Sequence, residues 1–237
     1  MEGAGILQNR YHLNSCVLLN YLDDKDAQSL LKLFHEEVWT KNTCIINSEK
    51  LVYHFFIILS GRVKMYQVDN NGEKEVTLFL LSRNDVFDLF CLLDGCKHDV
   101  YYECLDEVKV LAAPMEDLRG WLNAHPQHYK NLLPYAGRQM RMLESYVSDI
   151  TFTDISTRLL KLLLKNVNDK SRNLEMIHDL SHKELAYLIG STRAVVNRHL
   201  QKFKKNGSIK VTRNKVEIKD LSILIKLLEI QQQQRSI

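Results

Sequence analysis

The chain has 237 residues, of which 45% are hydrophobic and 26% charged, with 32 Lys and Arg against 29 Asp and Glu. This apolar content is sufficient for one large or two modest globular cores, and no apolar run approaches the roughly 20 residues that a membrane-spanning helix needs. The first ten residues, MEGAGILQNR, lack the pattern of a secretory leader or a transit peptide, and the five cysteines are odd in number and scattered, so we expect a reducing compartment.

The first half of the chain predicts a short helix followed by β-structure. The residues Asp24-Lys25-Asp26 precede apolar residues at helical spacing as far as Phe34. From about Val38 the apolar period changes to two, and the loop Asp69-Asn70-Asn71-Gly72 is a strong hairpin signal. Several short strands at this spacing predict a β-roll or sandwich. The predicted strands are 51–59, 63–68, 75–81, 86–93 and 101–111.

Helical patterns return after Pro114. A short helix is predicted at 115–124, ending before Pro126. In the next helix, apolar residues recur at alternating steps of four and three, which is a heptad seam. This seam consists of Ala136, Met140, Leu143, Val147 and Ile150. We therefore predict a dimerisation helix at 127–150, with packing against the β-domain of the same chain as the alternative, an interruption at 151–154, and a further helix at 155–167.

The segment LSHKELAYLIGSTRAVVNRHL, residues 180–200, predicts two helices joined by a tight turn. Ser181 and Glu184 form a capping box at the start of the first helix. Thr192 is suited to capping the second, in which Val196, Leu200 and Phe203 share one face. A small residue in the first helix, a glycine in the turn and a buried valine in the second are typical of a helix-turn-helix. These three residues are Ala186, Gly190 and Val196.

The second of these helices carries basic and amide side chains on its other faces. Base contacts are predicted for Arg193, Asn197 and Arg198, because Arg pairs bidentately with guanine. Alternating apolar residues at 209–218 then predict a small hairpin, or wing, around Arg213-Asn214. The predicted phosphate contacts are Lys202, Lys204, Lys205, Arg213 and Lys215. An ordinary helical hairpin with a solvated basic face is the alternative interpretation, and residues 231–234 are expected to form a solvated tail.

The charge is distributed unevenly along the chain. From Thr151 onward there are 17 Lys and Arg against 8 Asp and Glu, a net charge of +9, which leaves 15 against 21 in the first 150 residues, a net charge of −6. An acidic domain joined to a basic one is typical of a control module attached to a DNA-binding module. RNA or an anionic membrane are other partners of a basic domain, but the helix-turn-helix and the wing favour duplex DNA.

Together these features resemble the cAMP-receptor/fumarate–nitrate (Crp/Fnr) regulator superfamily over nearly the whole chain. The resemblance rests on the order of β-roll, long helix, helix-turn-helix and wing, and on the segments FIILSGRVKMYQ and IGSTRAVVNRHL. The segments VFDLFCLLDGCKHD, VLAAPMEDL and GSTRAVVNR are most similar to the cyanobacterial nitrogen-control branch (NtcA-like) and its red-algal plastid relatives. Ala194 occupies the position where cAMP receptors carry a base-reading glutamate, and the nitrogen-control branch also lacks that glutamate.

This resemblance implies an α+β fold in three parts. These are a cyclic-nucleotide-binding-like β-roll at 1–126, the dimerisation helix at 127–150 and a winged helix-turn-helix domain at 151–237. It also implies a homodimeric regulator that binds an inverted repeat in double-stranded DNA, acts with RNA polymerase as an activator of nitrogen-assimilation genes, and does not associate with membranes. Plastid stroma, for a plastid-encoded chain, is the favoured location, and a bacterial cytoplasm is the alternative.

The resemblance also bears on the effector. Cyclic-AMP receptors bind the phosphate through Gly-Glu and Arg-Ser pairs, and the matching positions here read Asp88-Leu89 and Asp99-Val100. An aspartate repels a phosphate, so we do not expect cAMP to bind.

The nitrogen-control branch implies a 2-oxoglutarate pocket, which needs arginines for its two carboxylates. Here the strand arginine is replaced by Val100, and on the long helix the match falls at Gln139 with Arg138 adjacent. These departures argue against 2-oxoglutarate and leave open another effector or none. The candidate pocket residues are Phe87, Asp88, Leu89, Phe90 and Arg138.

Three other interpretations of the sequence are open. A haem- or redox-sensing regulator of the same fold would use the residues Cys91, Cys96, His98 and Cys104, but these lack the paired short spacing of a zinc site, and the amino-terminal region holds only Cys16 for an iron–sulfur cluster. An architectural, non-specific DNA binder is a milder rival. An enzyme is the weakest, because no nucleophile with its base, no paired carboxylates and no phosphate loop are found. We therefore predict no catalytic residue and no metal ligand.

Overall fold

The computed structural model describes residues 16–19, 22–45, 53–87, 89–168, 170–212 and 215–233. Asp88, Arg213, Asn214 and the start of the predicted strand at 51–59 therefore lie outside the described residues. The chain divides into two compact units, one of Met1–Gln67 and Leu78–Met142 and the other of Val68–Thr77 and Leu143–Ile237. Within the described residues, none of the helices is both long and apolar enough to cross a membrane.

The amino-terminal half of the chain forms two four-stranded sheets, preceded by a short helix, α1 (Asp24–Leu31). Asp23 caps this helix by accepting a hydrogen bond from the Asp26 amide at 2.8 Å. The sheet orders are β1-β8-β3-β6 and β2-β7-β4-β5. The strands are β1 (His35–Trp39), β2 (Cys44–Ile45), β3 (His54–Ser60), β4 (Val63–Val68), β5 (Glu75–Leu81), β6 (Val86–Phe87), β7 (Tyr101–Cys104) and β8 (Val108–Pro114). The predicted β-roll is confirmed.

Strand β3 is central because both of its faces are buried. Phe55, Phe56, Ile57 and Ile58 are all fully buried in succession, as expected for a strand covered on both sides. Phe55 and Ile57 join an apolar core that also includes residues of α1 and of the helices that follow β8. Phe56 lies on the other face, in contact with the rings of its aromatic neighbours.

An aromatic cluster fills the space between the two sheets. The ring of Phe87 on β6 stacks on that of Tyr102 on β7, with centroids 4.7 Å apart and planes inclined by 14°. Phe56 and Trp39 lie 5.7 Å and 5.8 Å from Phe87, measured between ring centroids. Buried aromatic rings stabilise a core by their large apolar area and by ring–ring contact. This cluster therefore occupies the interior of the β-roll.

The structure corrects two of the predicted strands. The segment 86–93 is a two-residue strand followed by a helix, α2 (Leu89–Asp94), because Arg119 donates to the carbonyl oxygens of Cys91 and Leu92 and so binds its carboxyl end. The segment 101–111 is two strands in different sheets. The turn between them is held by Arg62, whose Nε and Nη2 donate to Asp106 at 2.7 and 2.8 Å. Short apolar runs do not distinguish helix from strand.

Helices follow β8, as predicted. Helix α3 (Met115–Ala124) has the predicted bounds and is followed by a 3₁₀ turn (Pro126–His128) and the long helix α4 (Tyr129–Phe152). Helix α4 therefore continues to Phe152, beyond the predicted end at Ile150. Asp154 then caps the next helix by accepting from the Thr157 amide at 3.0 Å. The predicted interruption is thus shorter than expected.

The second unit is a winged helix-turn-helix. After α4 it contains α5 (Ile155–Lys165), α6 (His182–Leu188), α7 (Arg193–Lys205), the antiparallel strands β9 (Ile209–Thr212) and β10 (Lys215–Ile218), and α8 (Leu221–Gln233). Helix α5 ends two residues before the predicted Val167, which instead bridges to Leu174. Helix α8 includes residues 231–233 of the tail expected at 231–234, and residue 234 lies outside the described residues. Gln231 accepts from Thr157 at 2.7 Å and donates to Ser156 at 3.0 Å, which ties this end of the helix to α5.

Candidate DNA-binding interface

Helix α6 begins at the predicted capping box. The amide of Glu184 donates to Ser181 Oγ at 3.2 Å, and the amide of Ser181 donates to Glu184 Oε2 at 2.7 Å. Both of these backbone donors would otherwise lack a partner at a helix start. Leu185 and Ala186 are buried, which fixes the face that α6 presents to the rest of the unit.

The turn after α6 requires glycine for two reasons. Gly190 has φ of +59°, and a Cβ added there would lie 3.1 Å from Ile150 Cδ1. Residues other than glycine pay a steric cost in this left-handed region. Arg158 on α5 reaches the same turn and donates from Nη1 to the Ile189 carbonyl at 2.7 Å. The turn is therefore held both by its backbone conformation and by a side chain from the preceding helix.

Helix α7 presents its basic residues to solvent because its apolar face is buried against the rest of the unit. Thr192 Oγ1 accepts from the Val195 amide at 3.4 Å at its start. Val196, Leu200 and Phe203 are buried. The three predicted base-contact residues are all exposed, namely Arg193, Asn197 and Arg198. We call these three the recognition face. Gln201, which the sequence reasoning did not include, is exposed three residues after Arg198, on the same side of the helix.

The predicted phosphate-binding lysines lie near the end of α7. Lys202, Lys204 and Lys205 are in its last turn and are exposed. Cations there also interact favourably with the helix dipole, so their positions suit the fold as well as an anionic partner.

In the described part of the wing, the predicted phosphate-contact residue Lys215 lies beside a carboxylate. Strands β9 and β10 pair Val211 with Val216 and Thr212 with Lys215. Lys215 is exposed, but its Nζ lies 3.1 Å from Glu217, and Lys210 Nζ lies 3.4 Å from the same carboxylate. The hydrogen bond from Lys215 is the main cause of the lowered pKa of Glu217. A phosphate that bound Lys215 would therefore compete with the carboxylate of Glu217.

Two histidines in this unit were not predicted from the sequence. His182, the first residue of α6, has a lowered pKa because its ring is desolvated and faces the charge of Arg193. His199 on α7 also has a lowered pKa, owing to desolvation and then to Lys202 and Arg198. Histidine at a helix start gives no recognisable sequence signal.

The candidate effector segment is mainly part of the core. Phe87 and Leu89 are each only 1% exposed, and Phe90 is half-buried, with its ring centroid 6.1 Å from that of His98. Val100 is buried, whereas the Asp99 side chain is exposed and lies 3.5 Å from Lys97. Asp88 lies outside the described residues.

The long helix presents Gln139 inward and Arg138 outward. Gln139 is buried, whereas Arg138 is exposed and lies with its guanidinium carbon 5.0 Å from the centroid of the Tyr135 ring. Gln139 is the position that the resemblance matches to an effector-binding arginine of the nitrogen-control branch. Its side chain is a neutral amide. The guanidinium that could bind a carboxylate lies on the exposed side.

The cysteines do not form a recognisable metal centre. Cys91 and Cys104 are buried, while Cys96 is exposed. Burial raises the pKa of Cys104 to about 11, which disfavours the thiolate that binds metals. In the part of the chain that the structure describes, no three His, Cys, Asp or Glu side chains are arranged to hold a metal ion.

Comparison with protein families follows the same two-part division. A family model described as a cyclic nucleotide-binding domain matches residues 36–125, and one described as a Crp-like helix-turn-helix domain matches residues 157–227.

Curated relatives match across both regions. The global nitrogen regulator of Synechocystis sp. is 31% identical over 171 residues, covering 69% of this chain and 75% of the relative. The CRP-like cAMP-activated global transcriptional regulator of Mycobacterium tuberculosis is 28% identical over 169 residues, covering 70% of this chain and 75% of the relative.

Solved structures share the fold. A crp/fnr-family transcriptional regulator from Eubacterium rectale has a TM-score of 0.72 at 20% identity and covers 90% of this chain and 97% of its own. FixK2 from Bradyrhizobium japonicum has a TM-score of 0.69 at 17% identity and covers 82% and 96%.

The fold and the exposed helix define a DNA-binding transcription regulator with an amino-terminal domain of the cyclic-nucleotide-binding type. The chain belongs to the Crp/Fnr family. Members of this family are transcription factors and not enzymes.

Proposed function

We propose that this chain is a homodimeric, sequence-specific activator of genes under nitrogen control. The regulatory theme is supported by the Synechocystis relative, whose name is global nitrogen regulator, and by the segments around residues 86–99 and 190–198 that resemble that branch. The related regulator of M. tuberculosis is cAMP-activated by name and similarly distant. The residues of the effector segment therefore decide between these two themes.

The observation that carries the DNA-binding role is the exposure of the recognition face on α7. Arg193, Asn197 and Arg198 are all exposed on a helix whose other side is buried. Arginine pairs bidentately with guanine O6 and N7, and asparagine with adenine N6 and N7. The lysines in the last turn would hold the phosphate backbone without reading sequence. The wing residues Lys215 and Arg213 complete the proposed phosphate contacts.

The seam on α4 supports a homodimer. In one chain, Met140 and Val147 are 65% and 62% exposed, and Ile150 is 39% exposed. Leu133 lies seven residues before Met140 and is 63% exposed. Apolar residues repeated at this spacing bury themselves against a second helix. Two copies joined in this way would place two recognition helices on half-sites about one helical turn, roughly 34 Å, apart.

The effector segment supports neither cAMP nor a conventional 2-oxoglutarate pocket. The positions that bind phosphate in cAMP receptors are a buried leucine, Leu89, a buried valine, Val100, and two aspartates, Asp88 and Asp99. A dianion needs well-placed cationic donors, and the inward position on α4 is the neutral Gln139. We therefore propose an effector other than cAMP, or none, with 2-oxoglutarate as the first to test.

The remaining parts of the proposal rest on the family resemblance. The proposed domain division is 1–126, 127–150 and 151–237, with RNA polymerase as the second macromolecular partner. A plastid-encoded protein of the plastid stroma is the favoured setting, and a bacterial cytoplasm is the alternative. The cyanobacterial relatives support the plastid setting by their lineage.

Selection of binding sites from a random duplex pool tests this function directly. The full chain should enrich an inverted repeat, and the enriched site should occur upstream of nitrogen-assimilation genes in its genome. Running the selection with and without 2-oxoglutarate shows whether this dianion alters affinity. Enrichment of no sequence would leave an architectural DNA binder, and a palindrome upstream of unrelated genes would overturn the nitrogen theme alone.

A further inference from the structure

Three elements of the second unit meet beside the turn that precedes the recognition helix. They are the last turns of α4, helix α5 and the turn at 189–191, and all of them lie within one compact unit. Only Thr153 and Asp154 separate α4 from α5. The angle between α4 and the elements that follow it therefore depends on the side chains that bridge this short connection.

Helix α4 contacts both of the other elements. Its Asp149 forms an ion pair with Lys161 on α5, and both side chains are partly buried. Its Ile150 packs against the turn, since a Cβ added at Gly190 would lie 3.1 Å from Ile150 Cδ1 and 3.5 Å from Ile150 Cγ1. These two contacts tie α4 to α5 and to the turn, but they do not tie α5 to the turn.

Arg158 on α5 supplies the third contact. Its Nη1 donates to the carbonyl oxygen of Ile189 at 2.7 Å. This carbonyl lies at the carboxyl end of α6, where such groups lack helical partners and favour a cation. The same Nη1 would lie 3.4 Å from a Cβ at Gly190, so the guanidinium approaches the turn beside Ile150. The three contacts form a closed triangle, which fixes the angle between α4 and the start of α7.

Apolar packing alone would not favour an arginine at this place. The Nε atom of Arg158 is buried and has no hydrogen-bond partner within the described chain, and a buried donor without a partner costs free energy. An apolar side chain of similar volume would fill the same space without that cost. What the guanidinium adds is the directional bond to Ile189.

We propose that Arg158 is a positioning residue that sets the half-site spacing this protein reads. The inference rests on the proposed homodimer bound to an inverted repeat. In such a dimer the seam joins two α4 helices, so the angle between each α4 and its α7 determines the distance between the two recognition helices. One added base pair moves a half-site by about 3.4 Å and rotates it by roughly 35°. A rigid junction rejects this change, whereas a loose junction tolerates it.

The test measures spacing preference and base preference separately, in the full chain. Affinities are compared for the selected palindrome, for palindromes with one base pair added or removed between the half-sites, and for single-base variants within a half-site. Arg158→Met keeps an apolar stem but no donor. It should reduce the wild-type spacing preference about three- to tenfold, the effect of one net hydrogen bond. Base preference within each half-site should not change, because the recognition face is intact.

Three further variants separate the junction from a general effect of charge. Arg158→Lys keeps a cationic donor and should retain most of the spacing preference. Lys161→Met removes another contact of the triangle and should relax the preference in the same direction, by a smaller factor because this ion pair is partly exposed. Lys165→Ala, the matched control, removes an exposed cation from the last turn of the same helix and should leave the spacing preference unchanged.

The outcomes separate this inference from the proposed function. If wild type selects a palindrome but Arg158→Met keeps the wild-type spacing preference, the positioning role is wrong while the function stands. If Arg158→Met weakens every duplex equally, or loses base and spacing preference together, the role is wrong for the same reason. If Arg158→Met does not fold, an unchanged spacing preference in Lys161→Met overturns the inference and a relaxed one supports it. If wild type selects no palindrome, the proposed function fails and this inference fails with it.

Discussion

The recognition helix and the effector segment of the β-roll use their side chains in opposite ways. On α7, apolar residues such as Val196 and Leu200 are buried and the polar residues that match the family pattern are exposed. In the effector segment, Phe87 and Leu89 are themselves buried, and the ring of Phe87 stacks on Tyr102 within the core. Of the positions that the resemblance matches to ligand contacts, Leu89 and Val100 are buried, whereas Asp99 is exposed.

This contrast indicates that the two functions of a Crp/Fnr protein can change independently. A recognition helix needs one buried face and one exposed face, and this requirement leaves the exposed residues free for DNA. A ligand pocket needs space and convergent polar groups inside a core, and a few apolar substitutions can fill it. We therefore expect DNA binding to be retained while the response to the family's known effectors is lost.

The largest predicted effect concerns the helix that would join two copies. Leu143→Asp places a carboxylate in the seam of each α4 helix, which should cost several kcal/mol because each buried charge lacks a partner. Analytical ultracentrifugation should then show a monomer, and specific DNA affinity should fall with it. Ser148→Asp, at an exposed position of the same helix, is the matched control and should remain dimeric. A wild-type monomer at micromolar concentration would remove the basis for this prediction.

The next prediction concerns the turn before the recognition helix. It tests whether close packing around Gly190 restricts this position in addition to its left-handed backbone conformation. Gly190 and Gly207 both have positive φ, but only at Gly190 would a Cβ lie within 4 Å of other atoms. Gly190→Ala should therefore destabilise the DNA-binding unit by about 1–3 kcal/mol. Gly207→Ala should destabilise it less, because only the cost of the left-handed backbone conformation applies there. Calorimetric unfolding of the full chain compares the two, and equal losses would show that close packing at the turn is unimportant.

A smaller effect concerns a titrating group of the first unit. Burial raises the pKa of Asp85, although hydrogen bonds from Ser82 and Tyr135 partly oppose this. The folded chain therefore binds this proton more tightly than the unfolded chain. Its contribution to the free energy of unfolding is fully present below the ordinary aspartate pKa and is lost as pH rises through the raised value.

Asp85→Asn should remove this part of the pH dependence, measured by denaturant unfolding across the acidic range. Asp99→Asn, at an exposed carboxylate, is the matched control and should retain it. An unchanged slope in Asp85→Asn would show that the carboxyl is not desolvated in the folded protein.

The last prediction in this order is that cAMP has no effect on the protein. Calorimetric titration of the full chain with millimolar cAMP should give no saturable heat, and the affinity for the selected DNA site should not change. Leu89 and Val100 offer no hydrogen bonds to a phosphate, and the neighbouring aspartates repel it. Saturable heat would contradict the expectation that Leu89, Val100 and the aspartates beside them cannot hold a phosphate.

The sequence predicted the DNA-binding unit more closely than the β-roll for a physical reason. The capping box of Ser181 and Glu184, the cap Thr192 and the turn at Gly190 are local signals, and the structure confirms each of them. The segment of α2 reads as a strand because its apolar run is short. Its carboxyl end is bound by Arg119, which lies 27 residues further along the chain, so local patterns do not reveal the helix. Contacts between distant segments leave no local pattern.

The same distinction explains what was missed at the candidate interface. Helix α8 depends on hydrogen bonds to α5, in which Gln231 bonds Thr157 and Ser156. The exposure of Arg193 and Arg198, by contrast, follows directly from the period of the apolar residues on α7. Which of these residues touch bases and which touch phosphates remains a prediction.

The most direct test of the account compares single alanine substitutions across a salt series, on the selected palindrome and on random duplex. Arg193→Ala or Arg198→Ala should lose about 1–3 kcal/mol on the palindrome and relax one symmetric pair of positions. Lys204→Ala should weaken all sequences alike and reduce the salt slope by about one unit per subunit, whereas Lys226→Ala on α8, outside the recognition helix and the wing, should change neither. Equal losses on palindrome and random duplex for both arginine variants would mean that these residues touch only phosphate, and the specificity assigned to the recognition face would be wrong.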